Sequence, residues 1–239
     1  MRFLFFCALL ISVRPAASAP TANSIRHGLE MRYRHAATLK AAFYQRYSDG
    51  HGGGVAESGV VYFSRPGRMR WEYESPQQKL FLVDGTNVWF YIPADRTASR
   101  AKMKQSSDWR TPIALLAGKA DLGELCREID LVHPGDNSGD APPAKNSADA
   151  PLTPSDSVLR CLPRGKPEDP DSGIREILFE TNPQFYLTRV VIREAGNFET
   201  EFRFGNWQEN IPIPELKFHF QPPPGVSIVD EEALAGELR

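Results

Sequence analysis

The feature that most constrains this chain is a two-residue alternation of apolar and polar side chains, which begins at Thr38 and recurs almost to the C-terminus. Such alternation is typical of β-strands with one buried and one solvated face. Turn residues interrupt it at short intervals, at Arg65-Pro66-Gly67, Ser75-Pro76 and Asp84-Gly85. Spacing this short favours antiparallel hairpins over β-α-β units, so the pattern predicts a meander in a mainly β domain.

The predicted strands fall into two groups. The first group is Thr38 to about Asp49, Gly59 to Ser64, Arg68 to Glu74, Lys79 to Asp84, Asn87 to Ile92 and, more weakly, Thr97 to Lys102. The second group is Ile174 to Glu180, Phe185 to Glu194, Glu199 to Trp207 and Glu215 to Phe220. Between the groups, at residues 133–170, the periodicity is lost and eight of the 20 prolines occur. This composition predicts a solvated insertion, or a long hairpin tip between cysteine-bearing strands.

Two segments have helical periodicity instead. Ile25, Leu29 and Tyr33 recur at helical spacing, which predicts an amphipathic helix from Asn23 to Ala37. Thr111 to Lys119 is short and almost wholly apolar, with a threonine cap at its start and a glycine stop near its end. A helix this short is not stable alone, so we expect both helices to cover the same side of the sheet.

The N-terminus has the features of a secretory signal peptide. Arg2 precedes an apolar run from Phe3 to Val13, and small residues follow at positions 16–19. The apolar run is too short to span a bilayer. We therefore expect residues 1–18 to be removed during export, with the cleavage point between 18 and 22, and residues 23–239 to form one domain.

The exported chain retains two cysteines, Cys126 and Cys161. An even number in an oxidising compartment favours a disulfide, and two buried thiols on separate strands are the alternative. A bond closing a loop of this size stabilises a fold by roughly 3 to 4 kcal/mol in the chain-entropy model.

No catalytic motif is present in the sequence. It contains no nucleophile elbow, HExxH helix, P-loop or dinucleotide fingerprint, and its five histidines lack metal-ligand spacing. We therefore expect no enzyme activity, no cofactor and no metal. A formal net charge of −2 provides no positive field for nucleic acid. The stretch from Arg65 to Tyr73 is basic and aromatic, but strand alternation puts its basic and aromatic side chains on opposite faces.

Three stretches, in order, resemble the family of outer-membrane lipoprotein carriers called LolA. They are Gly59 to Tyr73 with its Arg-Pro turn, Val83 to Pro93 with the run Asp-Gly-Thr-Asn-Val-Trp, and Lys217 to Ile228 with Pro-Pro-x-Gly-Val. The resemblance implies an incomplete, half-open antiparallel β-barrel with short α-helices as a lid over an apolar cavity. It also implies a periplasmic carrier for the acyl chains of lipoproteins, working as a monomer between an inner-membrane LolCDE-type ABC transporter and an outer-membrane LolB-type receptor. A carrier or sensor of other lipids, or an envelope protein-interaction module of the same fold, is the alternative.

The resemblance also assigns roles to residues. The family's arginine in the Arg-Pro turn, which hydrogen-bonds lid backbone, corresponds to Arg65, and Arg65, Pro66 and Met69 are the expected partner contacts. Strand alternation and the two helices suggest the cavity lining: Leu29, Phe43, Val61, Phe63, Trp71, Phe81, Trp89, Tyr91, Leu115, Leu116, Phe202, Phe204 and Phe218. Ordinary core packing is the alternative for each, because alternation shows which residues share a face and not which face is hollow.

Overall fold

The computed structural model describes residues 20–50, 53–102, 121–132, 153–164 and 173–230. Twelve strands among these residues form one sheet. In chain order they are β1 (Thr38–Ser48), β2 (Gly54–Ser64), β3 (Arg68–Ser75), β4 (Lys79–Val83), β5 (Asn87–Ile92), β6 (Thr97–Lys102), β7 (Cys126–Val132), β8 (Ser157–Pro163), β9 (Ile174–Thr181), β10 (Leu187–Glu194), β11 (Glu199–Glu209) and β12 (Ser227–Asp230). Helix α1 (Ala22–His35) precedes β1, and a short helix, α2 (Leu122–Leu125), precedes β7.

The strands lie side by side in the order β12-β6-β5-β4-β3-β2-β1-β11-β10-β9-β8-β7. The pairs are antiparallel except for β12 with β6, which run parallel. Strands β12 and β7 are the two edges, so the sheet does not close into a complete barrel. The predicted mainly β, half-open fold is confirmed.

Helix α1 begins close to the predicted position. Its N-cap is Thr21, whose side chain accepts a hydrogen bond from the Ser24 backbone N–H at 3.2 Å, while Ser24 Oγ accepts from the Thr21 N–H at 3.0 Å. These reciprocal bonds satisfy backbone donors that a helix start leaves unpaired. Ala36 is extended and ends the helix, and β1 follows two residues later.

Residues that pair directly on neighbouring antiparallel strands share a face of the sheet. One such row crosses β1 to β5 and consists of Ala41, Val61, Trp71, Phe81 and Phe90. We call this face the inner face, because the buried residues of α1 pack against it. Leu82 and Trp89 pair on the opposite, outer face and belong to a separate apolar cluster.

The predicted strand from Glu215 to Phe220 is wrong. A 3-10 helix occupies Glu215–Phe218 instead, directly after Pro214. Prolines at 212, 214 and 222–224 remove the N–H donors that a sheet ladder needs, so this stretch crosses the outer face rather than joining it. The last described strand is β12, farther along the chain.

The segment predicted as an insertion contains a strand. Residues 157–163 form β8, in which Val158, Leu159 and Cys161 are buried. Its few alternating positions are flanked by proline-rich sequence, which obscured them. Cys161 and Cys126 are joined by a disulfide with their Cα atoms 5.5 Å apart, which ties β8 to the edge strand β7. Residues 133–152 and 165–172 lie outside the described residues, as do the predicted signal peptide and the predicted helix at 111–119.

Candidate functional site

Aromatic side chains meet at the centre of the inner face. They are Phe43, Phe63, Trp71, Phe202 and Phe204, and we call them the inner aromatic cluster. The Trp71 ring is its centre, with centroid distances of 4.8 Å to Phe43, 5.6 Å to Phe202, 6.1 Å to Phe204 and 6.2 Å to Phe63. These four contacts are edge-to-face, the arrangement that aromatic quadrupoles favour. The sheet brings together strands from both ends of the chain, because β1 lies between β2 and β11.

Helix α1 joins this core from the inner side. Leu29 and Tyr33 are fully buried with Val61, and Phe81 packs at the margin of the same apolar core. The Tyr33 hydroxyl accepts a hydrogen bond from the Leu187 backbone N–H at 2.8 Å, which fixes the helix against β10. The helix therefore covers apolar surface, as its sequence predicts.

Three of the predicted cavity residues do not face this space. Trp89, Tyr91 and Phe218 lie on the outer face, where Trp89 and Phe218 form a buried cluster with Leu82 and Tyr91 packs against it. For Trp89 and Tyr91 the register of the β4–β5 hairpin causes the difference, because Trp89 pairs with Leu82 and not with Phe81. Phe218 belongs instead to the 3-10 segment that crosses the outer face. Two more predicted lining residues, Leu115 and Leu116, lie outside the described residues.

Arg65 links the β2–β3 turn to the end of α1. Its Nε donates to the carbonyl of Ala36, the residue that ends the helix, and its backbone N–H donates to the Ala37 carbonyl at 3.0 Å. Burial lowers the pKa of Arg65 from its ordinary value, yet an arginine remains charged in proteins. Of the other two expected partner contacts, Pro66 is exposed and Met69 is 7% exposed within the core. Contact of Met69 with a partner therefore requires that core to open.

A second anchor holds the last turn of α1. Arg32 Nη1 lies 2.6 Å from Glu209 Oε2, and Arg32 Nε donates to the Gln184 carbonyl at 2.6 Å. The guanidinium also stacks over the Tyr186 ring, 4.0 Å from its centroid. Sequence reasoning missed this anchor, because its partners come from the far end of the chain.

The inner face becomes polar toward the end of β3 that lies away from the Arg65 turn. The Tyr73 hydroxyl donates to Gln45 Oε1 at 2.9 Å, and Lys79 pairs with Glu57 and lies 5.0 Å from the Tyr73 ring centroid. Burial, with the nearby Glu57 charge, raises the pKa of Tyr73, so its hydroxyl stays protonated. We call these four side chains the inner polar group. Sequence analysis did not identify them.

A cavity of about 720 Å³ opens on the outer face, between the 3-10 segment and strands β3 to β5. Arg70, Glu72 and Lys217 are among its lining residues. Arg70 Nε lies 2.6 Å and Lys217 Nζ 2.9 Å from Glu72 Oε1. Burial alone would raise the pKa of Glu72, but hydrogen bonds from Lys217 and Arg70 hold it below its ordinary value. These ion pairs join the 3-10 segment to β3, so the polar side of the cavity is held by interactions between its own lining residues.

Neither a metal-binding group nor a membrane-spanning helix is found among the described residues. Within them, no cluster of three or more His, Cys, Asp or Glu side chains could hold a metal ion. No helix in the same part of the chain has the length and apolar character needed to cross a bilayer.

The chain is similar to known proteins of the family that its sequence resembles. Residues 34–134 match the family model described as outer membrane lipoprotein carrier protein LolA. The chain is 25% identical over 198 residues to the outer-membrane lipoprotein carrier protein of Nitrosospira multiformis, covering 82% of this chain and 84% of that protein. It is 27% identical over 229 residues to the protein of the same name from Chromobacterium violaceum, covering 96% and 98%. The predicted resemblance to the LolA family is therefore confirmed.

A solved structure supports the fold. An uncharacterized conserved protein from Thermus thermophilus superimposes with a TM-score of 0.51 at 10% sequence identity, covering 87% of this chain and 98% of that one. At this identity the similarity concerns the fold alone.

Proposed function

We propose, from its similarity to the LolA proteins, that this protein is a periplasmic carrier that binds the acyl chains of lipoproteins on its inner face. It would receive them from a LolCDE-type ABC transporter in the inner membrane and deliver them to a LolB-type receptor at the outer membrane. Two features support an extracytoplasmic location: the N-terminal signal pattern, and the disulfide between Cys126 and Cys161, a bond that persists in oxidising compartments.

One observation carries the proposal: an apolar core on the inner face, covered by an amphipathic helix. Each methylene transferred from water to an apolar surface gains about 0.8 kcal/mol, so a palmitoyl chain with about 14 methylenes gains roughly 11 kcal/mol. A lipoprotein therefore cannot cross water without a carrier that supplies this burial. Bound hydrocarbon would contact the same surface that α1 covers, so the helix and the acyl chain compete for it.

Arg65 is the residue that we expect to set this competition. It donates to the Ala36 carbonyl while α1 is seated, and this bond is lost if the helix end moves away. A hydrogen bond from a charged donor contributes roughly 1.5 to 3 kcal/mol, which is about tenfold to a hundredfold in an equilibrium constant. A bond of this size stabilises the covered state without preventing its exchange for lipid.

Identification of the natural cargo tests the proposal directly. The protein is purified from the periplasm without detergent, and native mass spectrometry measures the mass of whatever accompanies it. We expect diacylated or triacylated lipoproteins. A protein that is always empty, and that takes up no acylated peptide when offered one, would contradict a carrier function. Another lipid class in place of lipoproteins would indicate a carrier of different cargo.

The Arg65→Leu variant tests the gating role. Because the covered state loses a charge-assisted bond, we expect lipid to be held about tenfold more tightly and handed over more slowly. Transfer of a fluorescent lipopeptide from loaded protein to acceptor vesicles measures the rate. Arg68→Leu is the matched control, since Arg68 begins β3 directly after the same turn but pairs with Glu215 at 2.8 Å. Equal transfer rates in the two variants would remove Arg65 from the mechanism.

A further inference from the structure

The indole N–H of Trp71 is a buried donor at the centre of the inner aromatic cluster. Trp71 is 2% exposed, and its Nε1 atom is inaccessible to solvent. It makes no hydrogen bond with any acceptor in the part of the chain that the structure describes. Buried donors in native proteins are nearly always paired, so we expect the Trp71 N–H to have a hydrogen-bond acceptor.

Two other tryptophans of the same protein show the usual arrangement. Trp89 Nε1 donates to Asp84 Oδ2 at 3.0 Å, and Trp207 Nε1 donates to the Leu187 carbonyl at 2.8 Å. Both are buried or partly buried, as Trp71 is. The chain therefore satisfies indole donors elsewhere, and Trp71 differs from them in lying where the proposed cargo would lie.

The surroundings of Trp71 argue against a trapped water as its partner. A buried water requires two to four polar partners, whereas the contacts of Trp71 include four phenylalanine rings. An aromatic face can accept an N–H, but it is a weaker acceptor than a carbonyl oxygen. The donor is therefore best satisfied by an acceptor that arrives with an otherwise apolar ligand.

We propose that Trp71 Nε1 donates a hydrogen bond to the ester carbonyl of an acyl chain bound on the inner face. This inference rests on the proposed carrier function and makes Trp71 a positioning residue, which sets the depth at which the chain sits. An ester carbonyl is the first acceptor encountered along such a chain, and the remainder of the chain is hydrocarbon. Trp71 thereby distinguishes acyl chains from plain alkyl chains of the same length.

The inner polar group gives the bound chain a direction. Tyr73 lies two residues beyond Trp71 on the same face of β3, about 6 to 7 Å away along the strand. Met69 lies two residues before it and is buried in the apolar core. With its carbonyl at Trp71, the chain places its hydrocarbon tail toward Met69 and its polar head toward Tyr73, Gln45 and Lys79.

The test compares two synthetic probes on the full-length mature protein. One is a dipalmitoylglyceryl-cysteine peptide, whose chains are esters, and the other is its dihexadecyl counterpart, whose chains are ethers without carbonyls. We expect the wild-type protein to bind the ester probe about threefold to tenfold more tightly, the contribution of one hydrogen bond. Trp71→Phe keeps an aromatic ring but removes the donor, so this preference should vanish. Because both probes meet the same variant, any general loss of packing cancels in the ratio.

A matched variant and a spectroscopic measurement complete the test. Trp207→Phe removes an indole donor that already has a partner and should keep the ester preference. In ¹⁵N–¹H spectra, the indole signal that is missing from Trp71→Phe should move downfield in wild-type protein with the ester probe and not with the ether probe. The same ester preference in wild type and Trp71→Phe would overturn the inference while leaving the carrier function intact. A Trp71 indole signal already at a hydrogen-bonded position in empty protein, and unmoved by the ester probe, would also overturn it. Binding of neither probe to wild type would instead count against the carrier function.

Discussion

Trp89 on the outer face and Trp71 on the inner face belong to the same sheet, yet their indole donors meet different surroundings. Trp89 donates to Asp84, within a face that is braced by ion pairs such as Lys217 with Glu72. Trp71 is enclosed by aromatic rings, and its donor has no acceptor among the described residues. The outer face thus combines an apolar cluster with directional bonds between specified partners, whereas the centre of the inner face is held by apolar contact.

This difference has a physical consequence for what each face can do. Apolar attraction scales with buried area and does not depend on direction, so hydrocarbon can replace an apolar cover with little loss. A buried ion pair, such as Arg189 with Glu180, cannot exchange its partner in this way, because the remaining charge would be left uncompensated. The outer face is therefore suited to be the rigid scaffold and the inner face to be the exchangeable surface.

The largest expected effect concerns a buried ion pair of the scaffold. Arg189 Nε lies 2.7 Å from Glu180 Oε2, and both side chains are at most 2% exposed. Arg189→Met removes the cation that compensates Glu180, so we expect the free energy of unfolding to fall by about 3 to 5 kcal/mol, as measured by urea denaturation. Lipid affinity of the folded fraction should not change.

Arg203→Met is the control for that measurement. Arg203 is 49% exposed and pairs with Glu201 on the same face, so its loss should cost less than about 1 kcal/mol. Equal losses of stability in the two variants would mean that the buried position of Arg189 does not increase the contribution of its ion pair.

A smaller effect is expected where α1 is anchored over the inner face. Arg32→Met loses the ion pair with Glu209 and the stacking on Tyr186, which together contribute about 1 to 2 kcal/mol at a partly exposed site. We expect faster amide hydrogen exchange confined to residues 22–35. Arg34→Met, at an exposed position in the same turn, should leave exchange unchanged. Faster exchange throughout the sheet would show that the helix is part of the scaffold and not a separate cover.

The smallest effect is a pH dependence on the outer face. Burial alone would raise the pKa of Asp84, but hydrogen bonds from Asn87, Thr86 and Trp89 lower it below its ordinary value. A carboxyl with a depressed pKa in the folded state stabilises the fold above its unfolded pKa, and this contribution is lost as the pH falls through the folded pKa. Asp84→Asn should therefore cost about 1 kcal/mol at neutral pH and progressively less in acid. If urea denaturation gives the same loss of stability for Asp84→Asn in acid as at neutral pH, this assignment is contradicted.

Much of the fold could be predicted from local pattern. Helix α1 and strands β3 to β6 lie within two residues of their predicted bounds, because a periodicity and its flanking turn residues are properties of neighbouring positions. The Arg65 contact with the end of α1 was expected from the family resemblance, and the structure shows such a bond. The strand predicted at residues 215–220 was wrong because alternation was weighted above the flanking prolines.

Which residues belong to the candidate site depended on hairpin register, and the alternation of side chains within a strand does not show that register. Val61 and Trp71 pair across the β2–β3 turn and share the inner face, so residues an even number of positions apart on these two strands lie on the same face. Across the β4–β5 turn, Leu82 pairs with Trp89, so Trp89 points away from Phe81 although both positions are odd-numbered. The length of each turn therefore decides whether residues an even number of positions apart on the two strands share a face.

The sequence by itself determined which residues share a face within each strand, where α1 begins, and where several of the turns lie, since these depend on spacing and local hydrogen bonds. Only the tertiary structure decided which face α1 covers and which strands flank β1. It also decided that Arg32 contacts Glu209 and Tyr186, and that phenylalanine rings enclose Trp71. The physical reason is that these contacts join residues more than 100 positions apart, such as Arg32 with Glu209 and Trp71 with Phe202. No local periodicity carries information about such partners.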